Sequence, residues 1–189
     1  MSAEDRRHWD ARYGELGLAP LDGAPPPPVF APFESLLPTQ GAALELACGR
    51  GRGALWLASR GLRVLGVDVS AVAIELAREL ASRAGYADRC RFQVVDLDQG
   101  LPEGPPVDLI LCHLFRDARL DRALVERLVP GGWLAVATLS EVGAGPGAFR
   151  ARPGELRAAF GELDLVHEGE AEGRAWLLGR RGGSGADRG

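Results

Sequence analysis

The chain of 189 residues contains no lysine, so arginine supplies all 22 of its basic side chains. The absence of lysine excludes catalytic mechanisms that form a Schiff base on the protein. Acidic residues number 26, and the net charge is about −4 at pH 7. The sequence therefore lacks an overall basic excess that could neutralise a phosphate backbone, and nucleic acid is a disfavoured partner.

Cysteine and long apolar runs are also scarce. Cys48, Cys90 and Cys112 are an odd number of cysteines, and none belongs to a C-x-x-C pair. This pattern argues against a disulfide framework and against a zinc site, so no metal is expected. Apolar runs of membrane-spanning length are missing, and the first residues lack the pattern of a signal peptide. We therefore expect no membrane partner and a location in the reduced cytoplasm.

The middle of the chain has the pattern of a single α/β domain. Hydrophobic residues make up 46% of the chain and charged residues 25%, which is ordinary for a globular protein. Predicted strands at 42–47, 62–68, 90–96, 107–112 and 133–138 alternate with stretches of helical periodicity, among them 70–84 and 117–128. Ser70 is predicted to be the N-cap of the first of these two helices. This alternation predicts a doubly wound, mostly parallel sheet of seven strands, completed by a C-terminal antiparallel hairpin of residues 162–169 and 174–180.

The two ends of the chain differ from this regular middle. Residues 3–14 predict a short helix with Trp9 and Tyr13 on one face. A run of four prolines then predicts a semi-rigid connection, and residues 30–37 predict a short amphipathic helix. The Gly- and Ser-rich residues 182–189 are expected to be disordered.

A glycine-rich turn lies between the first predicted strand and the helix that follows it. Its glycines stand at every second position: Gly49, Gly51 and Gly53. Glycines let a ligand approach the main chain closely, and the free N–H groups of the next helix can face that ligand. The same residues with Ala54 also satisfy the dinucleotide pattern G-x-G-x-x-[GA], so the turn alone leaves the ligand open. Glu45, inside the strand, favours a cationic ligand over a pyrophosphate.

Polar residues follow the ends of several predicted strands. They are Asp68, Asp96 and the pair Cys112 and His113. Ligands of open parallel sheets bind beyond the carboxyl ends of the strands, so these residues and the glycine turn are expected to meet at one site. Asp68 is placed to accept both hydroxyls of a ribose, although an acid at the start of a helix is the alternative. For Asp96 the alternative is a solvated loop acid.

Four segments together resemble the class I S-adenosylmethionine-dependent methyltransferases. The run Glu45 to Gly51 resembles motif I of that family, Asp96-Leu97 its "D-hydrophobic" motif, and Leu128 to Leu134 its L-x-P-G-G turn. At the N-terminus, Trp9-Asp-Ala-Arg-Tyr13 resembles the W-x-x-R-Y opening of small bacterial methyltransferases of the tellurite-resistance and thiopurine type. The three motifs of the core together cover roughly residues 41–139. Ala47 and Gly53 depart from the common pattern, which leaves the subfamily open.

The resemblance implies a Rossmann-like fold with three parts: an N-terminal helical lid and Pro-rich connection (1–40), a methyltransferase core domain (41–181) and a tail (182–189). It implies S-adenosylmethionine as cofactor, bound by Glu45, Ala47, Cys48, Gly49, Gly51, Asp68, Val69, Asp96, Leu97 and Cys112. The lid and substrate candidates are His8, Trp9, Arg12, Tyr13 and His113. His113 is also the candidate catalytic base, and lining the cofactor pocket is its alternative role.

The substrate is expected to be a small molecule. Leu111 precedes Cys112 where a pyrimidine-attacking cysteine would follow a proline, and no N/D-P-P-Y/F motif follows the fourth predicted strand. By resemblance, both absences point away from nucleic-acid and protein substrates. A nicotinamide-dependent oxidoreductase and a non-catalytic adenosylmethionine-binding protein remain as alternatives. The sequence indicates neither the acceptor atom nor the oligomeric state.

Overall fold

The computed structural model describes residues 3–21, 23, 25–147 and 150–183. Most of the tail predicted to be disordered, from Ser184 onward, lies outside the described residues.

Among the described residues, eight strands form one sheet. They are β1 (Ala42–Leu46), β2 (Arg63–Asp68), β3 (Cys90–Val94), β4 (Val107–His113), β5 (Leu128–Ser140), β6 (Arg150–Ala151), β7 (Asp164–Ala171) and β8 (Arg174–Arg180). The order is β3-β2-β1-β4-β5-β8-β7, and β6 pairs with β5.

The pairing confirms the predicted sheet. Strands β1 to β5 pair in parallel, and β8 joins β5 antiparallel with β7 beyond it. The two-residue strand β6 is an addition to the seven predicted strands, because so short a segment carries no alternating pattern. The switch in strand order falls between β1 and β4, so a ligand site is expected at the carboxyl ends of these strands.

Five α-helices connect the strands in the described part of the chain. They are α1 (Ala3–Leu16), α2 (Arg52–Ser59), α3 (Ala71–Arg83), α4 (Asp121–Arg127) and α5 (Glu155–Phe160). Three 3-10 segments lie at Pro28–Leu36, Leu97–Gln99 and Ala118–Leu120. The predicted helix at 30–37 is thus a 3-10 segment, which contains Pro32. Proline lacks the N–H that an α-helix needs, which accounts for the difference.

The sheet is buried on both faces, as the apolar strands predicted. Along β4, Leu109 and Leu111 belong to a cluster with Trp56 of α2, whereas Ile110 belongs to a second cluster with Phe160 of α5. Side chains of successive strand residues point to opposite faces, so one strand supplies both cores. Glu45 takes the parallel position beside Leu111 in the register of β1 and β4.

The N-terminal segment is fastened to the C-terminal hairpin. Phe33 stacks on His167 of β7, with ring centroids 4.5 Å apart. His167 is half-buried by this contact. No helix in the described ranges combines the length and the apolar character required to cross a membrane.

Candidate active site

The glycine turn adopts a backbone that few residues tolerate. Ala47 and Gly49 have φ angles of 49° and 50°, in the left-handed region. A Cβ on Gly49 would lie 2.9 Å from the hydroxyl oxygen of Tyr13, so the turn is both left-handed and closely covered. A non-glycine residue in this region, here Ala47, is a local strain of the kind found at functional sites.

Asp68 ties the end of β2 to this turn. Its Oδ2 accepts a hydrogen bond from the N–H of Gly49 at 2.9 Å, and its Oδ1 accepts one from the N–H of Ser70 at 2.9 Å. Burial raises the pKa of Asp68, while the two backbone bonds act in the opposite direction. The carboxylate therefore serves the start of α3 and the glycine turn at the same time.

Glu45 is a buried carboxylate with an unsatisfied oxygen. The residue is 4% exposed, and its Oε2 has no hydrogen-bond partner among the described residues. Burial raises the pKa of Glu45 to about 8, the N–H of Ala54 lowers it, and the charge of Asp68 raises it again. An unpaired carboxylate oxygen is costly to bury, so the chain alone favours the protonated form of Glu45, and a positively charged ligand would favour the carboxylate.

A cavity of about 390 Å³ opens beside these carboxylates, within the usual range of roughly 300–1,000 Å³ for small-molecule sites. Its walls come from α1, from the glycine turn and from the carboxyl ends of β2, β4 and β5. The lining residues are Trp9, Arg12, Tyr13, Leu16, Glu45, Ala47, Cys48, Gly49, Arg50, Arg52, Gly53, Asp68, His113, Leu114, Phe115 and Leu139.

Helix α1 closes one side of the cavity. Trp9 and Tyr13 stack with ring centroids 5.8 Å apart, and burial raises the pKa of the Tyr13 hydroxyl above its usual range. Asp10 holds the helix in place, because its Oδ1 accepts a hydrogen bond from the Ser70 hydroxyl at 2.5 Å. Ser70 also caps α3, as its sequence position predicted, by accepting from the N–H of Ala73.

The glycine turn also holds the segment that follows α1. Arg50 donates to the backbone carbonyl of Gly17 at 2.9 Å, and Arg52 donates to that of Pro20 at 3.2 Å. The turn and the N-terminal segment therefore support each other.

His113 ends β4 and faces the cavity. Burial lowers its pKa, and the charge of Arg174 lowers it further. The imidazole is therefore uncharged at neutral pH, the form that accepts a proton. Leu114 follows with a φ of 60°, another left-handed non-glycine residue at this edge of the sheet.

The structure brings together most residues that the sequence suggested for the site. Those that line the cavity are Trp9, Arg12, Tyr13, Glu45, Ala47, Cys48, Gly49, Asp68 and His113. Those that do not are His8, Gly51, Val69, Asp96, Leu97 and Cys112. Of these, Val69, Leu97 and Cys112 are buried, and Asp96 caps the 3-10 segment by accepting from the N–H of Asp98 at 3.1 Å. The role of each residue toward a ligand stays a prediction.

Seven lining residues were not suggested by the sequence. They are Leu16, Arg50, Arg52, Gly53, Leu114, Phe115 and Leu139. A signal for three of them was present, because Leu114 and Phe115 directly follow His113 and Leu139 lies near the end of a strand. The contribution of Leu16 depends on how α1 docks, which only tertiary structure defines.

Residues 43–132 match the model of a family described as a methyltransferase domain. This stretch contains the glycine turn, Asp68 and His113. This central part of the chain, just under half of it, is thus similar to a methyltransferase domain. The match supports the predicted resemblance to the class I methyltransferases, and the sheet confirms the predicted Rossmann-like fold.

Two curated relatives are similar to parts of this chain. A ubiquinone biosynthesis O-methyltransferase of Paracidovorax citrulli is 28% identical over 115 residues, which cover 57% of this chain and 48% of the relative. A 23S rRNA (uracil(1939)-C(5))-methyltransferase of Acidithiobacillus ferrooxidans is 42% identical over 60 residues, covering 32% of this chain and 14% of the relative. The chain thus spans less than half the length of these relatives.

The crystal structure of TehB from Haemophilus influenzae has the same fold. It superposes with a TM-score of 0.67 at 18% identity, covering 75% of this chain and 58% of TehB. At this identity the likeness concerns the fold alone.

Proposed function

We propose that this protein binds S-adenosylmethionine and transfers a methyl group to a small molecule. The observation that carries the proposal is the buried Glu45 carboxylate, whose unpartnered Oε2 belongs to the cavity wall at the glycine turn. Burial favours the protonated form of Glu45 in the chain alone. An ammonium or sulfonium group would favour its ionised form and satisfy this oxygen, whereas a pyrophosphate would make ionisation still less favourable. This difference favours adenosylmethionine over a nicotinamide dinucleotide.

The residues around the turn fit the rest of such a ligand. Each Asp68 oxygen accepts one backbone N–H and keeps a second lone pair for a ribose hydroxyl. Asp96 and Leu97, at the end of β3, are proposed for the adenine, as the family motif implies. Arg6 of α1 lies 4.0 Å from the Asp96 carboxylate, so α1 reaches both the glycine turn and this second edge.

The protein has little covalent chemistry to perform. S-adenosylmethionine, when bound, supplies a methyl group on a positively charged sulfur that is already activated for transfer. The chain's own contribution is to orient the acceptor and to exclude water, for which Trp9 and Tyr13 of α1 are placed. His113, uncharged at neutral pH, is the candidate base that takes a proton from an acceptor that carries one.

A small acceptor is favoured by the size of the cavity and by the helix that covers it. The ubiquinone biosynthesis O-methyltransferase supports the same proposal, because the name of this relative indicates an enzyme of small-molecule biosynthesis. A cytoplasmic location is proposed as well, since all three cysteines are free.

Isothermal titration with S-adenosylmethionine, S-adenosylhomocysteine and NADH tests the choice of cofactor. We expect both adenosyl ligands to bind and NADH not to bind. Binding of NADH alone would assign the site to a nicotinamide-dependent oxidoreductase.

Release of S-adenosylhomocysteine in the presence of different acceptors tests the reaction. The panel holds thiols, phenols, amines, selenite, tellurite and a 23S rRNA transcript. Methylation of the transcript and of no small molecule would show that the substrate is RNA. Tight cofactor binding without turnover of any acceptor would favour a non-catalytic adenosylmethionine-binding protein. His113→Gln, compared at several pH values, then tests the proposed base.

A further inference from the structure

The cavity has two chemically different ends. The end at the glycine turn holds its two acidic lining residues, Glu45 and Asp68. The rest of the wall comes from the ends of β4 and β5, through His113, Leu114 and Leu139, and from α1, whose Tyr13 also covers Gly49 at the turn. If the first end binds the cofactor, as proposed above, the end at β4 and β5 is left for the acceptor.

Large apolar side chains line this acceptor end. Leu16 of α1 and Leu114 are 49% and 50% exposed, and both belong to the cavity wall together with the buried Phe115. The position of Leu114 is fixed, because its N–H donates to the carbonyl of Ala137 at 2.7 Å and its φ is 60°. Exposed leucines gathered at a cavity indicate a binding surface for an apolar partner.

Arg12 supplies a positive charge to the same wall. Its guanidinium carbon lies 5.9 Å from the ring centroid of Trp9, and no carboxylate of the described residues lies within 4.0 Å of it. Arg50 and Arg52 differ, since both bind backbone carbonyls of the N-terminal segment. Among the described lining arginines, Arg12 is therefore the one without a carboxylate or backbone carbonyl as partner, so its hydrogen-bond donors are left for a ligand.

Arg174 does not line the cavity but adds a second positive charge beside the lining residue Leu139. It begins β8, pairs in register with Leu139 of β5 and is exposed. Its charge reaches His113, whose pKa it lowers. Within the described chain Arg174 also has no carboxylate within 4.0 Å. The cavity wall thus has one arginine without a carboxylate partner, Arg12, and a second arginine beside Leu139, Arg174, whereas its two acidic lining residues belong to the glycine-turn end.

From this arrangement we propose that the acceptor is a small organic anion with an apolar body, and that Arg12 and Arg174 bind its anionic group. The proposal rests on the function proposed above. Apolar walls favour an aromatic or aliphatic body over a bare inorganic oxyanion, and two unpaired guanidiniums favour a carboxylate, sulfonate or thiolate over an amine. The arginines select the acceptor by its charge and place it beside His113.

Binding of benzoate and benzylamine to the protein saturated with S-adenosylhomocysteine tests the proposal without turnover. Both probes have the same ring and opposite charge, and their dissociation constants are measured by NMR titration. We expect benzoate to bind and benzylamine not to bind. Arg12→Gln and Arg174→Gln should each weaken benzoate binding roughly tenfold or more, the effect of losing a hydrogen bond to a charged group. Arg83→Gln, at the exposed end of α3, is the matched control and should leave it unchanged.

Three results would overturn the proposal. Equal affinities for benzylamine and benzoate would show that the site does not prefer a negative charge. An unchanged affinity for benzoate in both arginine variants would show that these arginines do not bind the anionic group. Arg12→Gln that weakens S-adenosylhomocysteine but not benzoate assigns Arg12 to the cofactor. Each of these requires a protein that binds S-adenosylhomocysteine, so a failure of the proposed function is recognised separately, by the absence of that binding in the wild type.

The same selectivity is expected in turnover. With matched acceptors that share a thiol, 4-mercaptobenzoate should have a higher kcat/KM than 4-(aminomethyl)benzenethiol, and the preference should disappear in Arg174→Gln. An equal kcat/KM for both acceptors in the wild type would contradict the assignment.

Discussion

The carboxylate of Glu45 lies directly against Gly53: a Cβ at position 53 would be 2.1 Å from Oε1 of Glu45. Glycine at position 53, one of the two departures from the family pattern, therefore has a physical reason in this chain. Any side chain there would push the buried carboxylate away from the glycine turn. The position of Glu45 and the absence of a side chain at residue 53 depend on each other.

Gly53→Ala should therefore be destabilising. The added methyl group would meet Glu45 Oε1 at 2.1 Å and Leu111 Cδ2 at 2.9 Å, and overpacking of this kind costs about 1–3 kcal/mol. Urea unfolding measures the loss. Gly14→Ala in α1 is the control, because nothing lies within 4 Å of its Cβ, and we expect it to be neutral or slightly stabilising. Equal stability of the two variants would contradict the close contact.

Asp68→Asn should weaken both the fold and the cofactor site. The asparagine NH₂ cannot accept a hydrogen bond, so the N–H of either Gly49 or Ser70 loses its partner. Loss of a hydrogen bond to a charged group corresponds to about 1.5–3 kcal/mol. Titration calorimetry with S-adenosylhomocysteine measures the affinity, and Asp88→Asn on an exposed turn is the control. An unchanged affinity in folded Asp68→Asn would remove Asp68 from the proposed cofactor site.

Glu45 should make the protein less stable as the pH rises. Its pKa is about 8 in the folded chain against an ordinary value of 4.5, so between these pH values the folded state holds a proton that the unfolded state has lost. The free energy of unfolding contributed by this group is therefore fully present below pH 4.5 and is lost as the pH rises through 8. Urea unfolding at several pH values in this window should give a steeper decline for wild type than for Glu45→Gln.

Two neighbours affect the same measurement and make the matched variant necessary. Asp68 also has a raised pKa and acts in the same direction, whereas the lowered pKa of His113 makes stability rise with pH below its ordinary value of 6.5. Both groups are present in wild type and in Glu45→Gln, so the difference between the two curves reports on Glu45. Parallel curves would show that the Glu45 proton is not held in the folded state.

Asp10→Ala should release α1 from the cavity. The change removes the acceptor of the Ser70 hydroxyl and of the longer 3.4 Å bond from the N–H of Val72. We expect faster hydrogen exchange in residues 3–16 and weaker S-adenosylhomocysteine binding, with little change in the exchange of the central strands. Glu15→Ala, on the exposed side of the same helix, removes a carboxylate without these bonds and serves as control. Similar exchange in both variants would show that Asp10 does not hold the helix.

The sheet and its ligand-binding edge were predictable from the sequence because they depend on local patterns. Alternation of apolar runs with helical periodicity gave the order of elements, and Ser70 was identified as the cap of α3 from its position alone. The bond between Ser70 and Asp10 was not predictable, because it joins residues 60 positions apart and depends on how α1 docks. The unsatisfied oxygen of Glu45 likewise appears only when neighbouring strands and α2 surround it.

The sequence also could not show how the elements bend. Leu114 has a left-handed backbone conformation, which leucine rarely adopts. The hydrogen bond from its N–H to the carbonyl of Ala137 stabilises this conformation. The helix expected at 117–128 is divided into a 3-10 turn and the short α4, and the Asp117 side chain accepts from the N–H of Arg119 where the turn begins. Such competition between side-chain and helical hydrogen bonds is decided in three dimensions.

The hydrogen bonds from Arg50 to the carbonyls of Leu16 and Gly17 join the glycine turn to the end of α1, which covers the cavity. Lifting the N-terminal helix would break these bonds and turn a guanidinium toward water at the moment the passage opens. The opening of the cavity would then have a more positive potential than the closed surface and would attract negatively charged ligands. Added salt should therefore slow the association of these ligands.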